Sequence, residues 1–477
     1  MTMKRLLAAA RVPTDIASLA FLRIAFGLLA FVGAVRFIAN GWVERFFGTP
    51  TFFFRFQGFE WVPVPTEDGV MALFVVMALS AVAVIVGWRF RLALAVHLVA
   101  FAWVELIDVT NYLNHYYLYT LLGALLLLMP LGRAWGLDAR RLGPLTHGPA
   151  WMVWLVRFQV GVVYTYAGLA KAGSDWLLHG QPLNLWLSAR QDFPLIGPLF
   201  DEPATALAFA WAGFLHDLLV PWLLLWRRTR VPAYVLLLGF HACTHLLFNI
   251  GMFPFIMTIA ATVFFDPSWP RRLLQRVRGP MGTSLQMQAW MGPTGTRARV
   301  LGWGIALYCM FQMLMPLRAH LYGGNVLWHE QGMRWSWRVM VREKNGTVTY
   351  RVRTGPDARE RHMPASIFLT PDQEREMSGQ PDMILALAHH IAKAWRSAGH
   401  DTVEVRVDAI CSLNGRVPAR LIDPTVDLAR VEDTLTSKDW ILPEPPGPPP
   451  ILRPIRLPTA VASHTPVAPN GNDHVAP

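Results

Sequence analysis

The chain has 477 residues, 53% of them hydrophobic and 16% charged, with a formal net charge of +11. Soluble domains carry about 25% charged residues, so the composition excludes an ordinary soluble enzyme. A positive excess fits a nucleic-acid binder or a membrane protein with basic loops, and its location decides: residues 1–320 hold 25 Lys and Arg against 14 Asp and Glu, whereas residues 321–442 hold 16 of each.

In chain order, Lys4, Arg5 and Arg11 form a cytoplasmic lead-in, and Asp15 interrupts the stretch that a cleaved signal would need. Apolar segments long enough to span a bilayer are expected at 16–37, 69–88, 91–109, 113–131, 150–173, 204–226, 231–249, 250–266 and 300–319. The stretch 231–266 is long for one helix and short for two, and Asn249, Gly251 and Pro254 mark a break. Taken as two spans, it puts 17 of the 25 basic residues, from Lys4 to Arg299, on one side. The positive-inside rule therefore favours nine spans, with the N-terminus inside and the C-terminus outside. A re-entrant hairpin would satisfy the same count. Between spans, residues 39–68 carry nine Phe or Trp from Trp42 to Trp61, and residues 174–203 hold Trp176 and Trp186. Both segments suit the membrane–water interface, lying on the bilayer or roofing a site reached from the lipid.

After residue 320 the pattern changes. Trp335–Glu343 and Thr347–Arg353 read as strands around an Asn345-Gly346 hairpin turn. An amphipathic helix follows at 382–397, then strands at Val403–Cys411 and Arg416–Ile422 around Asn414-Gly415. The expected fold is an α-helical integral membrane bundle of about nine spans over 1–320, followed by a small extracytoplasmic β-rich domain, α+β or β-sandwich, over 321–442. The last segment, 443–477, has 11 prolines and reads as a disordered or polyproline tail.

Polar and ionisable groups at membrane depth are functional candidates. They are Arg23, His97, Arg157, Gln159, Lys171, His216, Asp217, His241 and His245, with Asn114 and His115 at an outer mouth. Helical spacing stacks Arg157, Tyr164, Gly168 and Lys171 on one face, and Gly161 and Gly168 leave room beside it for a helix or a flat ligand. An apolar pocket disfavours the ammonium, which would leave Lys171 a usable general base. By position alone Lys171 equally suits snorkelling to the interface. Asn114-His115 suits either a helix start or the binding of a quinone oxygen or a carboxyl. His216-Asp217 suits an interhelical hydrogen bond or a held proton. His241 and His245 have a spacing that permits metal ligation, but Cys243 points off their face and no metal is expected. No phosphate-binding loop, dinucleotide fingerprint or nucleophile elbow occurs, and no nucleic-acid partner is expected.

At these residues the chain resembles the vitamin K-dependent gamma-carboxylase family, with its HTTM-type membrane domain. Pro13 to Gly27 (PTDIASLAFLRIAFG) is similar to the family opening PTDxASLAxxRxxFG. Asn114 to Tyr119 resembles NHSYLY, and Val163-Tyr164, Ala167-Gly168, Lys171 and Asp175-Trp176 follow VYxxAGxxKxxxDW. Phe240-His241 through Phe253 follows FHxxxxxLFxIGMF, and Asp266 to Arg271, Trp335 to Val341 and Ile422 to Asp427 complete the series. The resemblance implies a carboxylase that deprotonates reduced vitamin K with a membrane lysine at the Lys171 position. Oxygen then generates a strong base, which removes a γ-proton from a protein or peptide glutamate. Carbon dioxide adds to the carbanion, and the vitamin leaves as an epoxide. It implies Lys171 and His115 as catalytic residues, the latter aiding carbanion formation or glutamate positioning. Asn114, Arg157, Tyr164, Asp217, His241 and Met340 are the expected quinone or substrate contacts. The expected location is a bacterial inner membrane, with lipid as the surrounding partner. The chain departs from the family at Ala170-Lys171, where the family pairs two lysines, and at Val339-Met340, where it pairs two methionines. The animal enzymes also continue with a further lumenal region. Alternatives that stay open are a quinone epoxidase without carboxylation and a non-enzymatic membrane protein that binds a peptide.

Overall fold

The structure is a computed structural model, and it describes residues 3–248, 250–278 and 288–450. Asn249 and the tail beyond Pro450 lie outside the described residues. All nine apolar segments contain helices: α1 (Ala17–Ala39), α2 (Glu67–Val86), α3 (Phe90–Glu105), α4 (Asn114–Leu127), α5 (Trp151–Ala170), α6 (Pro203–Leu225), α7 (Arg230–Leu247), α8 (Phe253–Ala261) and α9 (Gly295–Leu314). Five of them, α1, α2, α5, α6 and α9 with its extension to Leu321, are long and apolar enough to cross a membrane. That makes the protein a membrane protein, with five such helices among the described residues rather than the nine expected. The break in 231–266 is present, since α7 ends at Leu247 and α8 begins at Phe253. At about 1.5 Å per residue, α8 falls well short of the roughly 30 Å apolar core of a bilayer.

Local chemistry explains the helix ends. Thr66 accepts a hydrogen bond from the Gly69 N–H at the start of α2, and Glu67 and Asp68 sit in its positive first turn. Gly87 ends the helix in the left-handed region at φ 66°. Buried Arg23 then acts as a carbonyl clamp. Arg23 donates to the carbonyls of Val84 (2.9 Å), Ile85 (3.1 Å) and Trp135 (3.1 Å). The guanidinium thus satisfies the orphan carbonyls that a helix end leaves in an apolar medium.

The C-terminal region is built on one antiparallel sheet, β1 (Lys344–Arg353), β2 (Arg361–Pro364), β3 (Glu404–Leu413) and β4 (Ala419–Arg420), in the order β2-β1-β3-β4. Two helices, α10 (Pro371–Met377) and α11 (Pro381–Ser397), connect its strands. Val348, Tyr350 and Val352 of β1 and Val405, Val407 and Ala409 of β3 face a core shared with Ile384, Leu387 and Ile391 of α11. The domain is therefore α+β and not a sandwich. Asn345-Gly346 makes no turn: β1 runs straight through it, with Gly346 opposite Cys411. A Cβ on Gly346 would sit 2.7 Å from the Ser378 carbonyl oxygen, so the glycine serves a close backbone approach. Trp335–Glu343 is accordingly not a strand. Asn414-Gly415 does form the expected turn, with φ of 52° and 80°.

The aromatic segment 39–68 packs in two directions. Trp42, Phe46 and Phe47 join a core with α2 and α3. Phe54 and Phe56 are buried in the core of the α+β domain. The two parts of the molecule therefore share hydrophobic cores across their junction.

Candidate functional site

Lys171 is the residue that follows the last turn of α5, and it is 5% exposed. Its Nζ donates to Asp217 Oδ2 at 2.8 Å, to the Ala167 carbonyl at 3.2 Å and to the Val339 carbonyl at 3.4 Å. The ring of Trp176 lies 5.3 Å from the same nitrogen. Three acceptors match the three N–H donors of an ammonium. Asp217, on α6, supplies a counter-ion to this amine. Asp217 Oδ1 meets His216 Nδ1 at 2.9 Å, and the His216 ring stacks on Phe240 of α7 at 3.8 Å.

Tyr164, two turns back along α5, bonds through its hydroxyl to His241 Nε2 of α7 at 2.7 Å. Tyr164 and His241 are both buried. These groups converge because α5 and α6 touch closely. A Cβ on Gly168 would lie 2.8 Å from the Leu218 backbone nitrogen, so that glycine seats a helix. Gly161 has open space beside it.

The wall is completed from far along the chain. Between α9 and β1, the segment around Trp335–Met340 drops into the bundle, with Trp335, Trp337 and Met340 in the left-handed region at φ of 59°, 58° and 54°. Trp337 is fully buried and stacks on Tyr117 at 4.9 Å. Holding three bulky residues at such φ values costs on the order of 1–3 kcal/mol each, which the packing of Trp337 helps to offset. The result places Val339 and Met340 against Lys171.

Together these residues line a cavity of about 860 Å³ that includes Tyr164, Lys171, His216, Asp217, His241 and Met340. Its lining is mostly apolar. Leu215 and Leu219 of α6 and Val235 and Leu236 of α7 also line it and are exposed on the outer face. The mouth therefore opens sideways, between two helices, towards the surface that lipid would cover.

The structure separates the other expected residues. His115 lines a second, smaller cavity of about 90 Å³ with Arg36, His97, Glu105, Asn111 and Tyr116. Phe253, the first residue of α8, stands between the two cavities, with its ring 6.4 Å from His115 and 6.2 Å from His241. Asn114 lines neither cavity; its Oδ1 accepts from the Tyr112 hydroxyl at 3.3 Å. Arg157 is a second carbonyl clamp, donating to Val263 (2.8 Å) and Phe265 (3.0 Å) in the turn that follows α8, and it is absent from the walls of these two cavities. Gln159 pairs instead with Gln312 and Tyr308 of α9. Helical phase put Arg157 below Lys171, but the two lie about four turns apart along α5, too far for one site. Among the described residues no group of three His, Cys, Asp or Glu is placed to hold a metal ion.

Sequence reasoning placed Trp176 in a segment that lies on the bilayer or roofs a site, and it missed Arg36, Glu105, Phe240 and Phe253 as wall residues. Charged groups near helix ends read as interfacial, and single aromatic residues read as core, so neither carried a usable signal.

The outer face is pinned by a charged cluster. Arg416 donates to both oxygens of Asp175, each at 2.7 Å, and Asn414 donates to Oδ2 at 2.7 Å. Burial alone would raise the Asp175 carboxyl, but these hydrogen bonds win and hold it below the usual carboxylate range. Asp175 adjoins Trp176, so this contact ties the α+β domain to the cavity wall.

Among known families, the HTTM domain matches residues 11–269, and the lumenal domain of vitamin K-dependent gamma-carboxylase matches residues 297–446. No solved structure matches the chain.

Proposed function

The chain belongs to the vitamin K-dependent gamma-carboxylase family, and from that premise we propose that it is an integral-membrane carboxylase. It couples epoxidation of reduced vitamin K by oxygen to carboxylation of glutamate side chains in a protein or peptide. The observation that carries this reading is the buried Lys171–Asp217 pair in the wall of a large apolar cavity with a lateral mouth. A lipid-soluble quinone needs such an entrance, and a strongly basic reaction needs exclusion of water.

The residues fit the group. Apolar side chains from α6 and α7 would cover its ring and tail, while Lys171, Asp217, Tyr164 and His241 supply the polar contacts and Met340 closes the end. When bound, reduced vitamin K supplies the oxygen chemistry that generates the strong base. The chain's own part is to handle protons and exclude water. Lys171 takes the hydroxyl proton once its own third proton has moved to Asp217. With that proton held on Asp217, the ammonium re-formed on Lys171 faces the negative charge left by the proton it took, since a lone ion in this medium would cost several kcal/mol. Tyr164 and His241 hold each other in place across α5 and α7. His115 sits one side chain away behind Phe253, where it aids carbanion formation or positions the glutamate, with Arg36 in the same cavity offering a cation to a carboxylate.

On this reading residues 1–320 form the membrane domain, residues 321–442 the extracytoplasmic domain and residues 443–477 a tail. The N-terminus is cytoplasmic, and the setting is a bacterial inner membrane. The test uses purified full-length protein with vitamin K hydroquinone, a glutamate peptide and labelled bicarbonate. Epoxide with fixed label supports the carboxylase. The partition at Phe253 favours one second reading, a quinone epoxidase whose His115 chamber is uncoupled; epoxide without fixed label would select it. Neither product from folded protein would leave only a peptide-binding membrane protein.

A further inference from the structure

One side chain lining the large cavity is held in a defined hydrogen-bonding sense and keeps a buried nitrogen without a partner. His216 is 6% exposed, its Nδ1 meets Asp217 at 2.9 Å, and its Nε2 is buried without a partner. An ionised carboxylate only accepts, so Nδ1 carries a proton, and in the neutral imidazole Nε2 then presents a lone pair. His241 also has an unpartnered nitrogen, Nδ1, but its other nitrogen faces a tyrosine hydroxyl that can donate or accept. Its sense is therefore not fixed, whereas that of His216 is. The stack on Phe240 holds the imidazole plane, and the ring lines the cavity.

Taking the cavity as the site of a hydroxyl-bearing aromatic ring, as proposed above, we propose that His216 Nε2 accepts the hydrogen bond of that ring's hydroxyl and selects the reduced ligand. The oxidised quinone has no hydroxyl to donate and would leave Nε2 bare. A site built to bond a hydroxyl discriminates strongly against an analogue that lacks it. Asp217 holds His216 through Oδ1 and Lys171 through Oδ2, so one carboxylate positions both side chains.

The test measures binding of 1-naphthol and of its methyl ether to full-length protein in detergent; neither probe requires turnover. Wild type is expected to prefer the naphthol by about tenfold or more. His216→Phe keeps an aromatic ring beside Phe240 and should bring the preference to within about twofold. His216→Gln, which presents a side-chain carbonyl, should restore part of it. Should the Phe variant fail to fold, His216→Met serves the same purpose. A preference that persists undiminished in the apolar variant, or its absence in wild type, overturns the assignment. Failure of the carboxylase reading shows separately, as no epoxide from wild type with vitamin K hydroquinone.

Discussion

A lysine buried in an apolar wall demands compensation, and Lys171 has three acceptors and an aromatic face around it. This makes the Lys171–Asp217 pair the centre of the proposed chemistry. Lys171→Ala is expected to abolish epoxide formation, measured by chromatography of the vitamin; full activity in that variant would remove Lys171 from the base role. Asp217→Asn keeps shape but leaves a buried cation without its counter-ion. It should cost about 3–5 kcal/mol of stability, read as a lower midpoint of thermal unfolding in detergent, and at least a tenfold drop in epoxide rate. An unchanged midpoint would mean that the pair is exposed to water in the folded protein. The fates of the intramembrane polar residues diverge for a reason that spacing alone does not contain. Arg23 and Arg157 end on backbone carbonyls, whereas Lys171, Asp217 and His241 reach a cavity.

At the scale of elements, α5 and α6 meet at a glycine, and α5, α6 and α7 together line the cavity. Gly168→Leu should force the first pair apart, since even a Cβ would meet the Leu218 backbone at 2.8 Å. Overpacking of this kind typically costs about 1–3 kcal/mol. Gly161→Leu, where the space is open, should leave the unfolding midpoint nearly unchanged. Equal effects at the two positions would mean that the close approach is not at Gly168. The helix start of α8 matters for a different reason: its Phe253 divides the His115 and Lys171 cavities. Phe253→Ala should join them, and a changed ratio of fixed label to epoxide would report it. Element identity was legible in the sequence where pattern and length agreed, as for α1, α2 and α11. The Asn345-Gly346 signal misled because glycine there meets a crowding demand within a strand, and composition does not distinguish that from a turn.

Across the whole molecule, the α+β domain completes the membrane site through the Trp335–Met340 segment and is held by Asp175 and Arg416. Arg416→Ala should weaken this dock and lower carboxylation and epoxidation together, because Val339 and Met340 would lose their seat beside Lys171. The dock also carries a pH sign. The Asp175 carboxyl is depressed in the folded protein, so its contribution is full above the unfolded carboxylate value of about 3.9. That contribution is lost as pH falls through the folded value. Wild type should lose stability in this acid window, and Asp175→Asn should lose less there; parallel losses would place the acid sensitivity elsewhere.

The sequence by itself determined the membrane character, the basic loops, the balanced C-terminal domain and the motif series that marks the family. Those properties are additive along the chain: hydropathy, charge and spacing survive without contacts. It also singled out Lys171, because an ion in an apolar helix is anomalous wherever the helix sits. Only the tertiary structure decided that Asp217 shares that ion, that Arg157 and Asn114 stand apart, and that His115 faces a different chamber. Those facts depend on which helix faces which neighbour at what distance. That is set by packing at a few close contacts such as Gly168 against Leu218, and no local pattern records it.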